Sequence, residues 1–371
     1  MVKKLTRRDR ERINAVITDR SNVFYWQTDR QITPEEAGLI WSDRHKYFTD
    51  NNIIHIVNRY WKDDQLVSLD PLDTESSLNL GNVNSVRVAN TKKKQDVILR
   101  LHPKGIKNGY FFVEACAASR SQENGLPSYR TFFIHTCNHD NDFAFHICEK
   151  LPGIAMKKWL EAHPDNEEHF VREVGIMMAN LHKIPVSGFG PFINDRAEKN
   201  TLQGIHKTER DAILAGLDFN VNVLIKERIF HEGQMSKICK LFRQSPLLNC
   251  SKPVLVHNDF ADWNLLTDGK RITGICDWDE CVGGDAIADI ACWSTFFSPE
   301  RLSTFLDGYF STASKSHDFN EKFELLRFRY TISKMTLRIR RYLWEPSETI
   351  REKIEIGKKH LALSLKYFNI N

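Results

Sequence analysis

Apolar residues follow a strand-like pattern between Leu78 and Glu149. Four segments there alternate between apolar and polar positions or run apolar, with turn residues between them: Val83–Ala89, Asp96–Leu101, Thr131–Thr136 and Phe143–Glu149. One helix is predicted among them, from about Tyr110 to Glu123, because Asn124-Gly125 is a typical helix end. The pattern therefore predicts a β-rich region that contains a single helix.

From Leu151-Pro152-Gly153 onward the pattern becomes helical. Asp165 is a candidate N-cap with Glu168 at the third helical position, and the residues after it place one apolar face at helical spacing: Phe170, Val174, Met177, Met178 and Leu181. Further helices surround a strand and hairpin region at 254–279, which turns at Asp268-Gly269. This part is predicted to be mostly helical.

The first 75 residues have a weaker pattern. Thr33-Pro34-Glu35-Glu36 is a good helix start, and that helix is predicted to run to about Tyr47. Ile53–Trp61 fits a strand or a helix, and both Asp63-Asp64 and Asp70–Asp73 resemble linkers. We expect three parts: a partly helical N-terminal extension (1–75), a β-rich part (76–150) and a helical part (151–371).

Composition indicates an ordinary globular protein of two or three substructures, because 371 residues are too many for one simple core. A net charge of +4, from 52 basic and 48 acidic residues, gives no nucleic-acid footprint. Eight cysteines without a CxxC pair favour buried, reduced thiols over disulfides or zinc. Without a run of 18 apolar residues or a signal-peptide core, we expect no membrane contact and a cytoplasmic location.

The chemistry concentrates in His257–Asp279. The spacing H-x-D-x4-N is followed, one hairpin later, by Asp277. Asp259 suits a catalytic base that takes a hydroxyl proton, and Asn264 and Asp277 offer the hard oxygen ligands that suit Mg²⁺. A polar turn with solvated strand-end charges, including Asp279, explains H-x-D-x4-N equally well. Asp277 shifts the balance towards phosphoryl transfer.

An apolar helix is predicted to begin after Gly284-Asp285, with Asp285 as its cap. Asp289 falls inside this helix between Ile287 and Ile290, where a carboxylate needs hydrogen-bond partners. The backbone of the turn around His257 is the expected partner. An exposed helix acid is the alternative.

Candidate nucleotide contacts lie upstream. Arg100 is one cation in an apolar strand and Glu114 follows in the predicted helix, an order that suits a phosphate-binding cation steered by a helix glutamate. An edge-strand surface cation explains Arg100 better when it is taken alone. Two other candidate segments have simpler explanations: Gly81 with Asn84 and Ser85 is explained equally well as turn residues, and the interlobe segment Glu149–Leu151 as a domain linker.

The order of these motifs along the chain, from Gly81–Asn84, Arg100 and Glu114 through Glu149–Gly153, Leu181-His182 and Gly188–Phe192 to His257–Asn264, Asp277 and Gly284–Asp289, resembles the aminoglycoside phosphotransferase family over about residues 76–300. Val254–Asp259 with Ile272–Trp278 looks most like its hygromycin phosphotransferase branch. The resemblance implies an α+β, bilobal, protein-kinase-like fold with a small antiparallel N-lobe, a mostly helical C-lobe and an added extension. It places the base on Asp259, the metal ligands on Asn264 and Asp277, and the nucleotide hinge on Glu149–Leu151. Its phosphate-contacting lysine falls on Arg100, an arginine here, with Glu114 as partner.

The resemblance implies an O-phosphotransferase that uses Mg²⁺ with ATP or GTP, and members of the family include antibiotic-inactivating enzymes. An aminoglycoside-type acceptor is therefore the first expectation. Basic C-terminal residues would repel a polyamine if they faced the cleft, although a solvated helix face is favoured for them: Arg327, Arg329, Lys334, Arg338, Arg340 and Arg341. A metabolic kinase for a sugar, amino alcohol or nucleoside-like acceptor is the alternative, and an inactive kinase-like binding module is a weaker one.

Overall fold

A computed structural model describes residues 48–71, 84–104, 108–137, 142–344 and 347–370. Its first half is built on one five-stranded antiparallel sheet with the strand order β1-β2-β3-β5-β4. The elements there are α1 (Asp50–Tyr60), β1 (Leu66–Pro71), β2 (Ser85–Thr91), β3 (Asp96–Leu101), α2 (Tyr110–Glu123), β4 (Thr131–His135) and β5 (Phe145–Glu149). The predicted helix 110–123 and the strand 96–101 have the expected bounds.

The two helices cover opposite faces of this sheet. Side chains alternate along β3, so Leu99 and Leu101 join the apolar core beneath α1, together with Ile53 and Val57 of that helix. Arg100 points to the other face, where α2 lies. Because side chains alternate along β3, Arg100 lies on the side of the sheet that faces α2.

Strand β1 and helix α1 correct part of the sequence prediction. Asp70 and Pro71, which were expected to be linker, form the end of β1, whose Leu69 pairs with Ala89 of β2. Ile53–Trp61 is helical up to Tyr60, with Thr49 as N-cap. The helix expected before Tyr47 and the domain boundary at residue 75 lie outside the described residues, and that division stays a prediction.

The second half is mostly helical. Its elements are β6 (Ile154–Ala155), α3 (Met156–Ala162), α4 (Glu167–Leu181), β7 (Phe189–Phe192), α5 (Asn194–Ala197), β8 (Gly204–His206), α6 (Glu209–Leu214), α7 (Leu217–Lys226), α8 (Glu232–Gln244), β9 (Val254–Val256), β10 (Leu265–Thr267), β11 (Ile272–Ile275), β12 (Val282–Gly284), α9 (Ala286–Ser294), α10 (Pro299–Phe310), α11 (Phe319–Trp344) and α12 (Glu348–Tyr367). The strands form two small sheets, β11-β10-β6 and β8-β7-β12-β9. In the described ranges, every helix is too short or too polar to span a bilayer.

Helix α4 has the predicted apolar face but a different start. Phe170, Val174, Met178 and their predicted companions are buried in the core of the second half. Asp165 is not the N-cap, because a 3₁₀ turn over Pro164–Asn166 precedes the helix and puts Asn166 at the cap position. The apolar periodicity specified the buried face, whereas proline at the start of the tighter turn shifted the boundary by one residue.

Hydrogen bonds join the two halves around the hairpin β10–β11. Ile275 N donates to Pro127 O at 2.7 Å, and the indole of Trp278 donates to Ser128 Oγ at 3.0 Å. Tyr110, on the first turn of α2, donates its hydroxyl to Cys281 O at 3.0 Å. These bonds hold α2, the helix that carries Glu114, against the segment that follows Asp277.

Candidate active site

The turn between β9 and β10 is held by one buried carboxylate. Asp289, on α9, accepts hydrogen bonds from His257 N at 2.8 Å and Asn258 N at 2.9 Å, as expected from the sequence. His182 Nε2 lies 3.3 Å from the same carboxylate, and Asp285 caps the helix that carries it. Asn258 takes a left-handed backbone conformation with φ of 70°, one that asparagine tolerates better than most residues.

The charges around this anchor favour an ionised Asp289 and a neutral His257. Burial by itself would raise the pKa of the Asp289 carboxyl, but the hydrogen bond from His182 and the neighbouring His257 hold it below its ordinary value. Burial lowers the pKa of His257. Its Nε2 bonds to Cys276 O at 3.0 Å while Nδ1 accepts from Asp259 N at 3.4 Å, which specifies one tautomer.

Asp259 is oriented by its neighbours in the same turn. Asn264 Nδ2 donates to Asp259 Oδ2 at 2.8 Å and to Asp259 O at 2.9 Å, and Trp263 Nε1 lies 3.4 Å from Oδ2. Both side-chain contacts fall on Oδ2, so Oδ1 is turned away from Asn264. Because the amide nitrogen of Asn264 is used on Asp259, its Oδ1 is the atom that can ligate a cation.

Asp277 ends the hairpin in a left-handed conformation, with φ of 60°. Its side chain is 45% exposed, and Arg100 Nη2 donates to its Oδ1 at 3.1 Å. Asp279, two residues on, is buried, and its pKa is raised well above the ordinary value by burial and by the nearby carboxylates of Asp277 and Glu280. The cleft therefore concentrates carboxylates, which a bound cation would offset.

Arg100 and Glu114 form a buried pair across the face of the sheet. Arg100 Nη1 donates to Glu114 Oε2, and the Glu114 side chain is fully buried. Burial opposes the charge of Arg100, yet the nearby Asp277 raises its pKa overall, so the guanidinium stays charged. The alternative of an edge-strand surface cation is wrong, since β3 lies between β2 and β5.

The remaining predicted contacts are spread along the edge of the first half. Asn84 Oδ1 lies 2.8 Å from His102 Nδ1, and Ser85 Oγ accepts from the side chain of Arg87 at 3.1 Å. Glu149 ends β5 with its carboxylate on Arg130 N at 3.2 Å. Leu151 packs against the core of the second half, and Gly81 lies outside the described residues.

Lys334 is the residue near the proposed base whose position the sequence pattern misplaced. Its side chain is 7% exposed, with Nζ 3.0 Å from Glu280 Oε2 and 4.0 Å from Asp259 Oδ1. Arg329 is also buried and donates to Ile213 O and Ala215 O. The expectation of a solvated helix face is therefore wrong for these two residues, because α11 packs against α7, α9 and α12.

Comparison with known proteins shows the family and the fold of this chain. Residues 75–322 match the sequence profile of a phosphotransferase enzyme family, abbreviated APH. Among curated proteins, none matches the sequence. Solved structures do match in fold.

One is a thermostable mutant of aminoglycoside phosphotransferase APH(4)-Ia in complex with AMP-PNP and hygromycin B, at 16% identity and a TM-score of 0.58 over 85% of this chain and 97% of that chain. A protein described as a putative aminoglycoside phosphotransferase from Ralstonia eutropha JMP134 matches at 12% identity and 0.60, over 85% and 97%. A macrolide 2'-phosphotransferase type I matches at 14% and 0.52, over 85% and 98%. The likeness confirms the predicted α+β, bilobal, kinase-like fold.

Proposed function

Because the chain belongs to the phosphotransferase enzyme family, whose members phosphorylate hydroxyl groups, we propose that it transfers the γ-phosphate of ATP or GTP to a hydroxyl of a small molecule. One observation carries the proposal. Asp289 anchors a turn that presents Asp259 and Asn264, while Arg100 connects Glu114 to Asp277 on the facing wall. A structural domain has no need for this set of groups around one cleft.

Asp259 is the proposed base. It takes the proton of the acceptor hydroxyl as the bond from that oxygen to the γ-phosphorus forms and the bond to the bridging oxygen breaks, which releases the nucleoside diphosphate. Asn264 and Trp263 hold Oδ2, so the carboxylate keeps one orientation. Orientation matters here because the transition state is loose and positioning supplies much of the rate.

Arg100 is the proposed contact to the donor phosphates, and Glu114 is the partner that orients its guanidinium group. The guanidinium makes bidentate contacts that the compact ammonium of lysine does not, so Arg100 serves here both the phosphates and Asp277. We propose further nucleotide contacts from the hinge Glu149–Leu151 and from Gly81, Asn84 and Ser85.

The oxygen ligands in the cleft suit Mg²⁺. Asn264 Oδ1 and the half-exposed Asp277 carboxylate are hard donors, and the surplus of carboxylates favours a divalent cation. Among the described residues, no group of three or more His, Cys, Asp or Glu side chains is placed to hold a metal, so the remaining ligands would be phosphates and water. When bound, Mg²⁺ neutralises the charge that develops on the transferred phosphoryl group. His257, Asp279 and Asp289 are proposed to support these ligands.

Two acceptor classes remain in this proposal. Relatives in fold bind hygromycin B or are described as macrolide 2'-phosphotransferase and choline/ethanolamine kinase family protein, which keeps both an antibiotic and a metabolic acceptor open. An inactive binding module is disfavoured, because Asp259, Asn264 and Asp277 are all present: Asn264 donates to Asp259, and the charge of Asp259 contributes to the raised pKa of Asp277, after burial and against the opposing effect of Arg100.

The test follows nucleoside diphosphate release from Mg-ATP and Mg-GTP with a panel of hydroxylated acceptors. The proposal expects acceptor-dependent release and a thermal shift with Mg-nucleotide that a chelator removes, because Asn264 and Asp277 engage the nucleotide through the metal. No acceptor-dependent release, together with no shift for either nucleotide, would reject the function. Asp195→Asn, a substitution at an exposed position, controls for differences between protein preparations.

A further inference from the structure

Lys334 reaches the proposed base from a distant helix. Its Nζ lies on the Oδ1 side of Asp259, at 4.0 Å, while Asn264 and Trp263 contact Oδ2. In the proposed mechanism the acceptor hydroxyl would approach Oδ1, and Lys334 is the cation beside that oxygen. Arg100 and Asp277 are the residues proposed above for the nucleotide and its metal.

Near Lys334, two carboxylates are already paired with basic side chains of the protein. Glu280 Oε2 accepts from Lys334 at 3.0 Å, and Asp262 Oδ2 accepts from Arg301 at 2.9 Å. Both acids are at least four-fifths buried. An acceptor ammonium group could pair with Glu280 or Asp262 only by breaking one of these buried pairs, and breaking a buried pair is costly.

Two aromatic rings complete this side. Trp263 packs edge-on against Phe296 with ring centroids 5.3 Å apart, and Lys334 Nζ lies 5.1 Å from the Phe296 ring centre. Lys353, on α12, lies 5.3 Å from the Trp263 ring centre. Aromatic faces pack well on the C–H face of a sugar ring, and the lysines beside them add positive potential.

Arg338 extends the same positive side. It lies one helical turn after Lys334, and its Nη1 donates to Lys353 O at 3.0 Å, which connects α11 to α12. Three basic residues from the two C-terminal helices are thus placed around Trp263 and Asp259.

From these contacts we propose that Lys334 determines acceptor charge: the acceptor is a neutral or anionic, sugar-like hydroxyl compound rather than a polycation. Lys334 acts as a specificity residue because it pairs with the Glu280 carboxylate and places a positive charge beside Asp259 Oδ1. Proton transfer remains the role of Asp259. The inference rests on the proposed phosphotransferase function for the location of the acceptor.

The test uses probes that share one ring and differ in charge: glucose, glucuronate and glucosamine, with hygromycin B as the polycation. Acceptor-dependent nucleoside diphosphate release gives kcat and KM for each, and ligand-detected NMR gives binding to the complex with Mg²⁺ and a non-hydrolysable nucleotide. Wild type is expected to prefer glucose or glucuronate to glucosamine by about tenfold, the effect of one charge at a partly exposed site.

Variants separate charge from structure. Lys334→Gln is expected to reduce the preference to about threefold or less, mainly through KM, whereas Lys334→Arg keeps it. Lys353→Gln, on the exposed face of α12, should shift the order in the same direction and is expected to fold whatever the fate of the buried site. The matched control is Arg327→Gln, which removes a cation from α11 whose partner is Glu324.

Three outcomes overturn the inference: glucosamine or hygromycin B is preferred by wild type, the probes show no charge order in turnover or binding, or Lys334→Gln and Lys353→Gln both leave that order unchanged. A failure of the proposed function looks different, because Mg-nucleotide then neither binds nor is turned over with any acceptor. In that case the NMR binding order, measured on the protein without nucleotide, still decides the inference.

Discussion

At the scale of single residues, Asp289 determines where the proposed base stands. Its carboxylate receives two successive backbone N–H groups, those of His257 and Asn258, and so holds the turn two residues ahead of Asp259. Ionised carboxylates accept such bonds more strongly than neutral groups do. The lowered pKa of Asp289 is the electrostatic consequence of the same contacts.

Replacing Asp289 with asparagine should therefore misplace the turn. One amide oxygen cannot serve both N–H groups, and the amide nitrogen opposes one of them. We expect unfolding free energy to fall by about 2 kcal/mol, measured by urea denaturation, because a buried bond to a charged group is lost. Turnover should fall about a hundredfold, as for other displacements of reacting groups. Asp195→Asn, at an exposed position of helix α5, should change neither, and a wild-type turnover in Asp289→Asn would contradict the assigned role.

The same variant makes a pH prediction. The folded pKa of Asp289 is lower than its ordinary value of 3.8, so its ionisation stabilises the fold above that value, and this stability is lost as pH falls through the folded pKa. The stability gap between wild type and Asp289→Asn should be constant from about pH 7 to 5 and close below about pH 4. A gap that widens on acidification would show that the folded pKa is raised instead.

Asp289 and Lys334 show which buried side-chain contacts a sequence pattern can predict and which it cannot. The location of Asp289 inside an apolar helix implied buried hydrogen-bond partners, and the backbone of the turn around His257 was the partner expected and found. Lys334 gave no such signal, because it follows Asp259 by 75 positions in a helix whose other residues include many cations. Only the packing of α11 on α9 decides which cation faces the cleft.

At the scale of elements, strand β3 and helix α2 are coupled by the Arg100–Glu114 pair. Glu114 is fully buried in a helix that is otherwise largely apolar, so it depends on Arg100 for its charge. The spacing of 14 residues between them covers one strand end, a connection and the first turn of the helix. The sequence order suggested this pair, but its burial required the sheet.

A double-mutant cycle measures that coupling. Arg100→Met leaves Glu114 as a buried carboxylate without its arginine and should cost about 3 kcal/mol of unfolding free energy. Changing Glu114→Met as well should recover part of the loss, so that the double variant is more stable than Arg100→Met alone. Urea denaturation of the four proteins gives the coupling energy, and strictly additive losses would contradict a direct pair.

Helix α1 supports the sheet that carries Arg100. Ile53 and Val57 are fully buried on the face of β3 that lies opposite Arg100, within the stretch expected to be a partly helical N-terminal extension. Short apolar segments fit a strand or a helix equally well by pattern, so the sequence left this element undecided. Its packing makes it part of the sheet layer.

Truncating Ile53 to alanine should therefore destabilise the first half of the molecule. The loss of a fully buried side chain costs about 3 kcal/mol of unfolding free energy. His55→Ala, on the exposed face of the same helix, should change stability by less than about 0.5 kcal/mol. Affinity for Mg-nucleotide should weaken in parallel in Ile53→Ala, and equal stability of the two variants would place α1 outside the core.

At the scale of the whole molecule, a sheet-rich half and a helical half meet at one cleft. Tyr110, Ser128 and Pro127 of the first half bond to the segment around Asp277 and Cys281 of the second. The order of motifs along the chain predicted these two halves and the placement of the cleft between them. Bulk charge did not predict the acceptor side, because the net charge of +4 averages over residues that face different directions.

The most direct test of the central claim compares wild type with Asp259→Asn at saturating Mg-nucleotide and acceptor. Nucleoside diphosphate release should fall by at least a hundredfold, since a general base contributes about 10² to 10⁴. Binding of Mg-nucleotide should stay within a few-fold of wild type, because Asn264, Asp277 and Arg100 remain. Asp268→Asn, in the exposed hairpin turn, should behave as wild type. Release by Asp259→Asn at the wild-type rate, with the same acceptor dependence, would contradict the account.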